Sequence, residues 1–375
     1  MHTKKLNISP AWVFRTDNGE LFEPVLFRLL ESIRDTGKLT AAAEAAGISY
    51  RHAWNLLNRA THVFSLPLVI MRKGQGTTLS DLGEKLLWAD HRVKARLGPQ
   101  IDSMASELND QVQQLLAGSH PVLRLHASHG YAVALLPEFP DQLEINLQYR
   151  NPEEALSALN NGECDLASFH FPTCPERARE ILAHYRHHLS GNNLKLIRFV
   201  TRREGLMFRK DQQHRITSLK DLANSQLRFI GRDRHSGTRV LFNLLLKQQG
   251  LAEDAINRSP QPEFTHTAVA AFVAAGMADI GFGVEAAARQ FDLGFVELAR
   301  EHYLLLCRED RLNQTNLSRL IDLMRSEPFI ARVQELPGYA PDNPGEITTF
   351  EALIAGDSDN QESEGAGTKA EGFRQ

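Results

Sequence analysis

The sequence predicts two fold classes in one chain: a small α+β helix-turn-helix unit with a β hairpin, followed by a larger α/β domain. Three observations predict it. The 375 residues exceed one ordinary domain. The stretch AAAEAAGISYRHAWNLLN, residues 41–58, places a small-faced helix before a polar and aromatic one. After Gly118, short apolar runs alternate with helical patterns as far as about residue 307.

The elements read as follows. Residues 8–22 form a short hairpin, with AWVFR and ELF flanking TDNGE, whose Asn18-Gly19 suits a type I′ turn. Val25, Leu26, Leu29, Leu30 and Ile33 recur at helical spacing from Glu23 to Thr36, and Gly37 ends that helix. A second helix covers Thr40 to Ala46. A third runs from Ser49 to Phe64, with Ser49 as N-cap. LVIMRKGQGTTLS is strand, glycine-rich tip, strand. A long helical pattern follows from Asp81 to Leu116, which Gly98-Pro99 is expected to break or kink. Then VLRLHAS, a helix near Tyr131, LEINLQY, a helix near Glu154 and CDLASFHF predict an α/β domain with mainly parallel strands. Residues 356–375 are polar and Gly/Ser/Glu-rich, so a disordered tail is expected.

Composition bounds the function. The apolar fraction is 42%, typical of globular proteins. No run of 18 apolar residues predicts a membrane span, and MHTKKLNISPAW has no apolar h-region, so export is not expected. Cys164, Cys174 and Cys307 are odd in number and widely spaced, which fits reduced thiols and a cytoplasmic location. The net charge of −4 conceals an asymmetry, because residues 36–96 hold nine Lys/Arg against four Asp/Glu. A basic segment inside an acidic chain points to a polyanion partner for that segment.

Two helices approach closely only where the facing side chains are small. Ala42, Ala43 and Ala46 supply such a face and Gly47 the tight turn, as a helix-turn-helix needs. Ile48, Ala53, Leu56 and Leu57 then point inward. Ser49, Tyr50, Arg51, His52, Trp54, Asn55 and Asn58 are left outward. Arg and Asn carry forks that match guanine and adenine edges, while Ser and Tyr suit phosphates. Arg72-Lys73-Gly74-Gln75-Gly76 has the form of a basic wing. Thr40, Arg72, Lys73 and Gln75 complete the expected DNA-facing set, and double-stranded DNA is the expected partner. An ordinary alanine-rich helical hairpin would explain the small residues but not the basic tip or an exposed Trp54.

GISYRHAWNLLN, followed by PLVIMRKGQGTTLSDLGEKLL, resembles the winged helix-turn-helix of molybdate-responsive regulators of the ModE type, and more distantly that of LysR-type regulators. The resemblance covers about residues 20–97. It implies that Ser49, Tyr50, Arg51 and Trp54 belong to the recognition helix and Arg72 and Lys73 to the wing. It also implies that residues 98–120 are a linker and dimerisation helix, with Leu86, Leu87, Val93 and Leu97 as candidates for its seam. A homodimer or homotetramer is expected, because one recognition helix covers too little DNA for good specificity.

The α/β half carries three strand-to-helix turns rich in small and polar residues: HASHGYAV (126–133), GRDRHSGTRVLF (231–242) and FTHTAVAAFVAAG (264–276). Helix N-termini offer unpaired N–H groups and the positive end of the dipole, so they attract anions. In the middle turn Gly237 allows close approach, Ser236 and Thr238 donate, and Arg232, Arg234 or Arg239 can pair with a charge. Plain capping by Ser236 and Thr267 is the bland alternative.

GECDLASFHF, RHSGTRVLFNLLL and THTAVAAFVAAGMADIGFGVEAAA together resemble the periplasmic-binding-protein-like domain, type 2, over roughly residues 121–310. Such domains have two lobes joined by two crossover strands, placed here near LIRFVTRREGLMF and VELAREHYLLLC. The resemblance implies a sensing domain over 121–340, with lobe I about 121–203 and 297–340 and lobe II about 204–296. It implies a cleft lined by Ser128, His129, Ser236, Gly237, Thr238, Thr267 and Ala268, with His170 and Glu285 as further candidates beside Arg232 and Arg239. The expected effector is a small anion, a molybdate- or tungstate-type oxyanion or a small carboxylate such as formate.

Other classes are weaker. No Gly-x-Ser-x-Gly elbow, phosphate loop or dinucleotide motif appears, so no enzyme is expected. His184 and His188 have metal-ligand spacing but lack the glutamate of a zincin, so no metal or cofactor is expected beyond the anion. The sequence therefore predicts a one-component transcription regulator. The alternative is a small-molecule-binding or molybdenum-cofactor-related protein without operator readout.

Overall fold

In the computed structural model the described residues are 13–356, apart from 16, 18, 20, 73, 75, 118–121, 140–142, 191–192, 213–215 and 224–225. The type I′ turn at Asn18, the wing residues Lys73 and Gln75, and the tail from 357 onward lie outside them. The chain divides into two compact units, residues 9–98 and residues 99 onward.

In the N-terminal unit, β1 (Phe14–Arg15) and β2 (Leu21–Phe22) pair antiparallel. Helices α1 (Val25–Thr36), α2 (Leu39–Ala45) and α3 (Tyr50–Phe64) follow. Ala42, Ala43, Ala46 and Ala53 are buried, so α2 and α3 meet on small side chains as the sequence requires. Gly47 makes the turn with φ 72°, a left-handed conformation that costs other residues strain. Ser49 caps α3, its hydroxyl accepting from the His52 N–H at 3.2 Å. Leu56, Leu57 and Ala60 join Leu26, Leu29, Leu30 and Ile33 in one apolar core. Strands β3 (Val69–Arg72) and β4 (Gly76–Leu79) form the wing hairpin.

Helix α4 runs from Asp81 to Ala117 with Pro99 inside it, so of the expected break or kink at Gly98-Pro99 the break is corrected, and the linker helix does not start at 98 but is continuous with the helix from Asp81. Proline in a helix interior costs about 3 kcal/mol. Packing just beyond it offsets that cost. The Ser103 hydroxyl donates to the Pro99 carbonyl at 2.8 Å and accepts from the Tyr149 N–H at 2.9 Å. The Ser106 hydroxyl donates to Asn146 at 3.2 Å. The seam expected at Leu86, Leu87, Val93 and Leu97 is also corrected in part. Leu87 is buried in the N-terminal unit's own core and Leu86 packs against it, while Leu97 is exposed.

The C-terminal unit begins with β5 (Leu123–Ala127), α5 (Tyr131–Leu135), β6 (Ile145–Tyr149), α6 (Pro152–Asn161), β7 (Leu166–Pro172), α7 (Pro175–His184) and α8 (Arg186–Leu189). The strand β8 (Leu194–Phe208) leads to β9 (Phe229–Ile230), α9 (Gly237–Gln248), α10 (His266–Ala274), β10 (Ile280–Val284) and α11 (Glu285–Gln290). The chain returns through β11 (Gly294–Arg308), α12 (Thr315–Arg325) and α13 (Glu327–Gln334), then ends on β12 (Tyr339–Pro341) and β13 (Ile347–Thr348).

Strand order is β6-β5-β7-β11-β8-β10-β9, with β12 and β13 also on β8. β5 pairs parallel with β6 and β7, and β9 pairs parallel with β10. The expectation of a mainly parallel sheet is corrected by β8 and β11, which run antiparallel to each other and to their other partners. These two 15-residue strands are the crossovers. β8 pairs with β10 over residues 204–208, and with β12 and β13 before Arg203. β11 pairs with β7 only from Glu301 onward. Each strand therefore serves two lobes and changes partner near its middle. Buried Leu353 and Ile354 extend the first lobe past residue 340.

Candidate functional site

At the middle of the crossovers the apolar pattern is interrupted by charge. Arg202 and Glu204 on β8, and Glu301 on β11, are all buried. Glu301 accepts from Arg202 Nε at 3.0 Å and Nη2 at 2.7 Å, and its other oxygen accepts from His170 Nδ1–H at 3.1 Å. Burial pushes its carboxyl up, but His170 and Arg202 outweigh that and hold it at about 2. Arg202 Nη2 also lies 3.2 Å from Glu204 Oε1. Its guanidinium stands over the Tyr303 ring, 5.1 Å from the centroid. Burial, helped by the nearby Glu301 charge, raises the Glu204 carboxyl to about 8, against the pull of the two arginines. Two carboxylates share one guanidinium, and Glu301 has the better bonds.

The cleft walls converge on this floor. From the first lobe come Ser128 and His129, after β5, and His170 on β7. Tyr303 donates its hydroxyl proton to the Ser128 carbonyl at 2.6 Å, and the Ser128 N–H donates to Ser168 at 2.8 Å. From the second lobe come Arg232 after β9, Thr238 in the first turn of α9, and His266 at the start of α10. Gly237 is close to His170: a Cβ there would lie 2.5 Å from the imidazole, so only glycine fits. The Val284 N–H donates to His266 Nδ1 at 3.3 Å, which leaves the His266 proton on Nε2. That proton faces Thr238 Oγ1 at 3.5 Å and Glu204 Oε1 at 3.8 Å. Burial, then the charges of Arg232 and Arg202, keeps His266 neutral and lowers His129 to about 4. Burial lowers His170 too.

Several buried atoms here have no hydrogen-bond partner among the described residues: Arg202 Nη1, Arg232 Nε and Nη1, Ser128 Oγ, His129 Nδ1 and Glu204 Oε2. Arg232 spends only Nη2, on the Phe264 carbonyl at 2.7 Å. Burial lowers its guanidinium to about 10, which still leaves it a cation at neutral pH. A buried donor without an acceptor costs about 1–3 kcal/mol, more for a charged group. Arg202 also has the Tyr339 hydroxyl as a hydrogen-bond neighbour, so the two Arg232 nitrogens, Nε and Nη1, are the guanidinium donors left for acceptor oxygens. Across the mouth, Tyr131 bridges the lobes, its hydroxyl 3.0 Å from Thr267 Oγ1 and donating to Gln290 at 2.6 Å.

Of the residues expected from sequence, the cleft gathers Ser128, His129, His170, Arg232, Gly237 and Thr238. Ser236 is buried at the start of α9 but makes no capping hydrogen bond. Thr265, not Thr267, caps α10, and it takes the Ala268 N–H at 2.9 Å, so Ala268 offers no free donor. The Thr267 hydroxyl is engaged by Tyr131. Glu285 is corrected: its carboxylate is held by Arg203 and Arg289, each at 2.8 Å. Arg239 lines a small hollow with Gly231, Arg232 and Thr238, but its guanidinium is engaged by Glu253 at 2.9 Å and Asn243 at 3.1 Å. Arg234 is exposed. The unpartnered donors of the cleft are arginine nitrogens rather than helix N-termini. Sequence reasoning missed Arg202, Glu204, Glu301, His266 and Tyr303. The signal was legible as TRREG and REH, charged residues in the interior of strands otherwise built to be buried.

In the N-terminal unit, Thr40, Ser49, Tyr50, Arg51, His52, Trp54, Asn55, Asn58 and Arg72 are all exposed. The exposed Trp54 has a neighbour on its own helix: its ring stacks on Tyr50, centroids 6.5 Å apart and planes at 19°. Among the described residues no side-chain hydrogen bond or ion pair engages Arg51, Asn55 or Asn58. The candidate metal pair is separated by a helix end, since α7 stops at His184 and the His188 ring lies 3.3 Å from Ser157 Oγ. No cluster of metal-ligating side chains occurs among the described residues, and no helix among them is long and apolar enough to cross a membrane.

Fold and cleft define a class: a two-lobed solute-binding domain carried behind a winged helix-turn-helix unit. The chain belongs to the PBP superfamily, whose domain model matches residues 134–325. Among curated proteins it is similar to the uncharacterized protein YvgK of Bacillus subtilis, 28% identical over 200 residues, covering 53% of this chain and 64% of that one. It is also similar to the molybdenum transport protein ModE of Azotobacter vinelandii, 28% identical over 99 residues, covering 25% of this chain and 37% of ModE. The chain thus spans less than two thirds of either relative. Among solved structures, a cysteine-to-serine mutant of Corynebacterium glutamicum OxyR with bound hydrogen peroxide aligns at 14% identity over 80% of this chain and 90% of that one, with a TM-score of 0.41.

Proposed function

We propose that the protein is a DNA-binding transcription regulator controlled by a small anion held in the interlobe cleft. The observation that carries this reading is the buried guanidinium of Arg232, whose Nε and Nη1 have no hydrogen-bond partner among the described residues, in a cleft between two lobes. The exposed face of α3 supports the DNA half, and the similarity to ModE makes molybdate or tungstate candidates beside small carboxylates such as formate. Anion binding would favour the closed arrangement of the lobes, and only unequal affinity for two arrangements could pass that signal on.

The test is DNA binding by the full chain. Arg51→Ala is expected to weaken specific binding by about 1–3 kcal/mol, as for loss of a base contact. Arg72→Ala is expected to weaken all sequences alike and to flatten the salt dependence. If both variants bind operator and random duplex as the parent does, the recognition-helix reading falls.

The reading includes a dimer. Leu97, Met104, Leu108 and Leu115 on α4 are exposed apolar side chains at heptad-compatible spacing, with Ile101 between them. An apolar stripe of this length in water favours a second copy. Met104→Glu is therefore expected to convert a sedimenting dimer to monomer at micromolar concentration. A parent that sediments as a monomer would remove the dimer from the reading.

A further inference from the structure

The charge on the cleft floor depends on one proton. Arg202 and Arg232 are cations, Glu301 is the ionised carboxylate held by Arg202 and His170, and the three cleft histidines are neutral. Asp233, beside Arg232, is a constant negative charge at the edge of the site; among the four floor groups themselves, with Glu204 ionised, two cations meet two anions and cancel. With Glu204 protonated, the floor carries one positive charge. Resting on the reading of this cleft as an anion site, we infer that it holds a monoanion only with Glu204 protonated, so that binding takes up one proton, onto Glu204, wherever that group is ionised in the free protein.

The geometry around Glu204 supports this from every side. On its own strand, Arg202 Nη2 reaches Oε1 at 3.2 Å. From α9, Thr238 donates to the same oxygen at 3.5 Å, and from α10 His266 Nε2 lies 3.8 Å away. Glu301 on β11 acts on Glu204 through its charge and through a carboxyl–carboxyl hydrogen bond, Arg232 after β9 acts through charge, and Tyr339 on β12 reaches it through Arg202, to which its hydroxyl is hydrogen-bonded. The three contacts from Arg202, Thr238 and His266 all address Oε1. Oε2 is buried with no partner among the described residues. A carboxylate oxygen buried bare is costly, whereas a carboxylic acid O–H can donate to a ligand oxygen. Glu204 also competes with Glu301 for one guanidinium, and like charges that close disfavour double ionisation. The group titrates at about 8 in the free protein, so at neutral pH the site is mostly charged for an anion already.

The sign follows from linkage. An anion binds the protonated form, so its affinity is full below about pH 8 and falls as Glu204 ionises above it. From pH 7 to pH 9 the fall is about tenfold.

The experiment is titration calorimetry of the full chain at pH 6, 7, 8 and 9, in buffers of unlike ionisation enthalpy. The probes are formate and perrhenate as monoanions, and sulfate and molybdate as dianions, none of which titrates in that range. The expected result is a monoanion that binds more tightly than either dianion, weakens about tenfold from pH 7 to 9, and takes up close to one proton per site at pH 9. In Glu204→Gln, whose amide can donate but carries no charge, affinity should be flat across the range and near the parent's at pH 7. The proton count of the parent does not depend on that variant folding well. Monoanion binding without pH dependence or proton uptake overturns the inference and leaves the anion sensor standing. A dianion that binds more tightly than both monoanions at every pH overturns the charge count. A pH slope that persists in Glu204→Gln overturns the assignment of the proton. Failure of all four anions to bind overturns the anion sensor itself.

Discussion

Replacing Arg202 with methionine is expected to destabilise the full chain by about 3–5 kcal/mol at pH 7, the usual cost of removing one partner of a buried ion pair. Arg202 gives Glu301 two hydrogen bonds, approaches Glu204, and covers the Tyr303 ring. Without it, two carboxyl groups face each other in a dry interior, with His170 beside Glu301, Thr238 and His266 beside Glu204, and Arg232 as the remaining nearby cation. Urea unfolding followed by circular dichroism checks this. The effect should depend on pH. In the parent, the Glu301 carboxyl is held at about 2, below its ordinary 4.5. That contribution is fully present above about 4.5 and is lost as pH falls towards 2. The gap between parent and variant should therefore be widest above about pH 5 and shrink on acidification. An equal gap at pH 3 and pH 7 would mean that Arg202 acts by packing alone.

Arg232→Met should give the opposite sign in the absence of ligand. Arg232 is buried, yet Nε and Nη1 have no hydrogen-bond partner among the described residues. Its folded-state cost is desolvation, which one hydrogen bond, to the Phe264 carbonyl, and the charges of Asp233 and Glu204 offset only in part. Methionine has no such cost, so the ligand-free protein should gain about 1–3 kcal/mol. Binding should move the other way, because the charge that pairs with the anion is gone. Affinity for whichever of formate, perrhenate, sulfate or molybdate binds the parent should drop by about 2–5 kcal/mol. DNA affinity without ligand should be unchanged. A variant that binds the anion as the parent does would take Arg232 out of the site. This pairing of higher stability with lost binding separates a residue kept for a ligand from one kept for the fold.

The winged unit was legible in the sequence because its signals are local. Ala42, Ala43 and Ala46 recur at helical spacing, Gly47 must turn, and Ser49 must cap, all within a single short stretch of chain. Burial then follows directly from periodicity. The alternation of strands and helices in the second domain is local in the same sense, and so are the two long apolar crossovers. Tertiary structure decided the rest. The continuity of α4 through Pro99 rests on Ser103 and Ser106 finding Tyr149 and Asn146, some forty residues away. The cleft rests on Arg202 meeting Glu301 ninety-nine residues on, and on His266 meeting Glu204 across sixty-two. Sequence spacing carries no information about such meetings. A strand register does, because β8 and β11 pair antiparallel and bring their charged centres together. Whether an arginine ends paired with a carboxylate, as Arg239 does with Glu253, or with two nitrogens left over, as Arg232 does, depends on which acceptors the fold delivers within about 3 Å. Helix and strand periodicity thus determined the parts, while the charge of the cleft was set by long-range pairing and by burial.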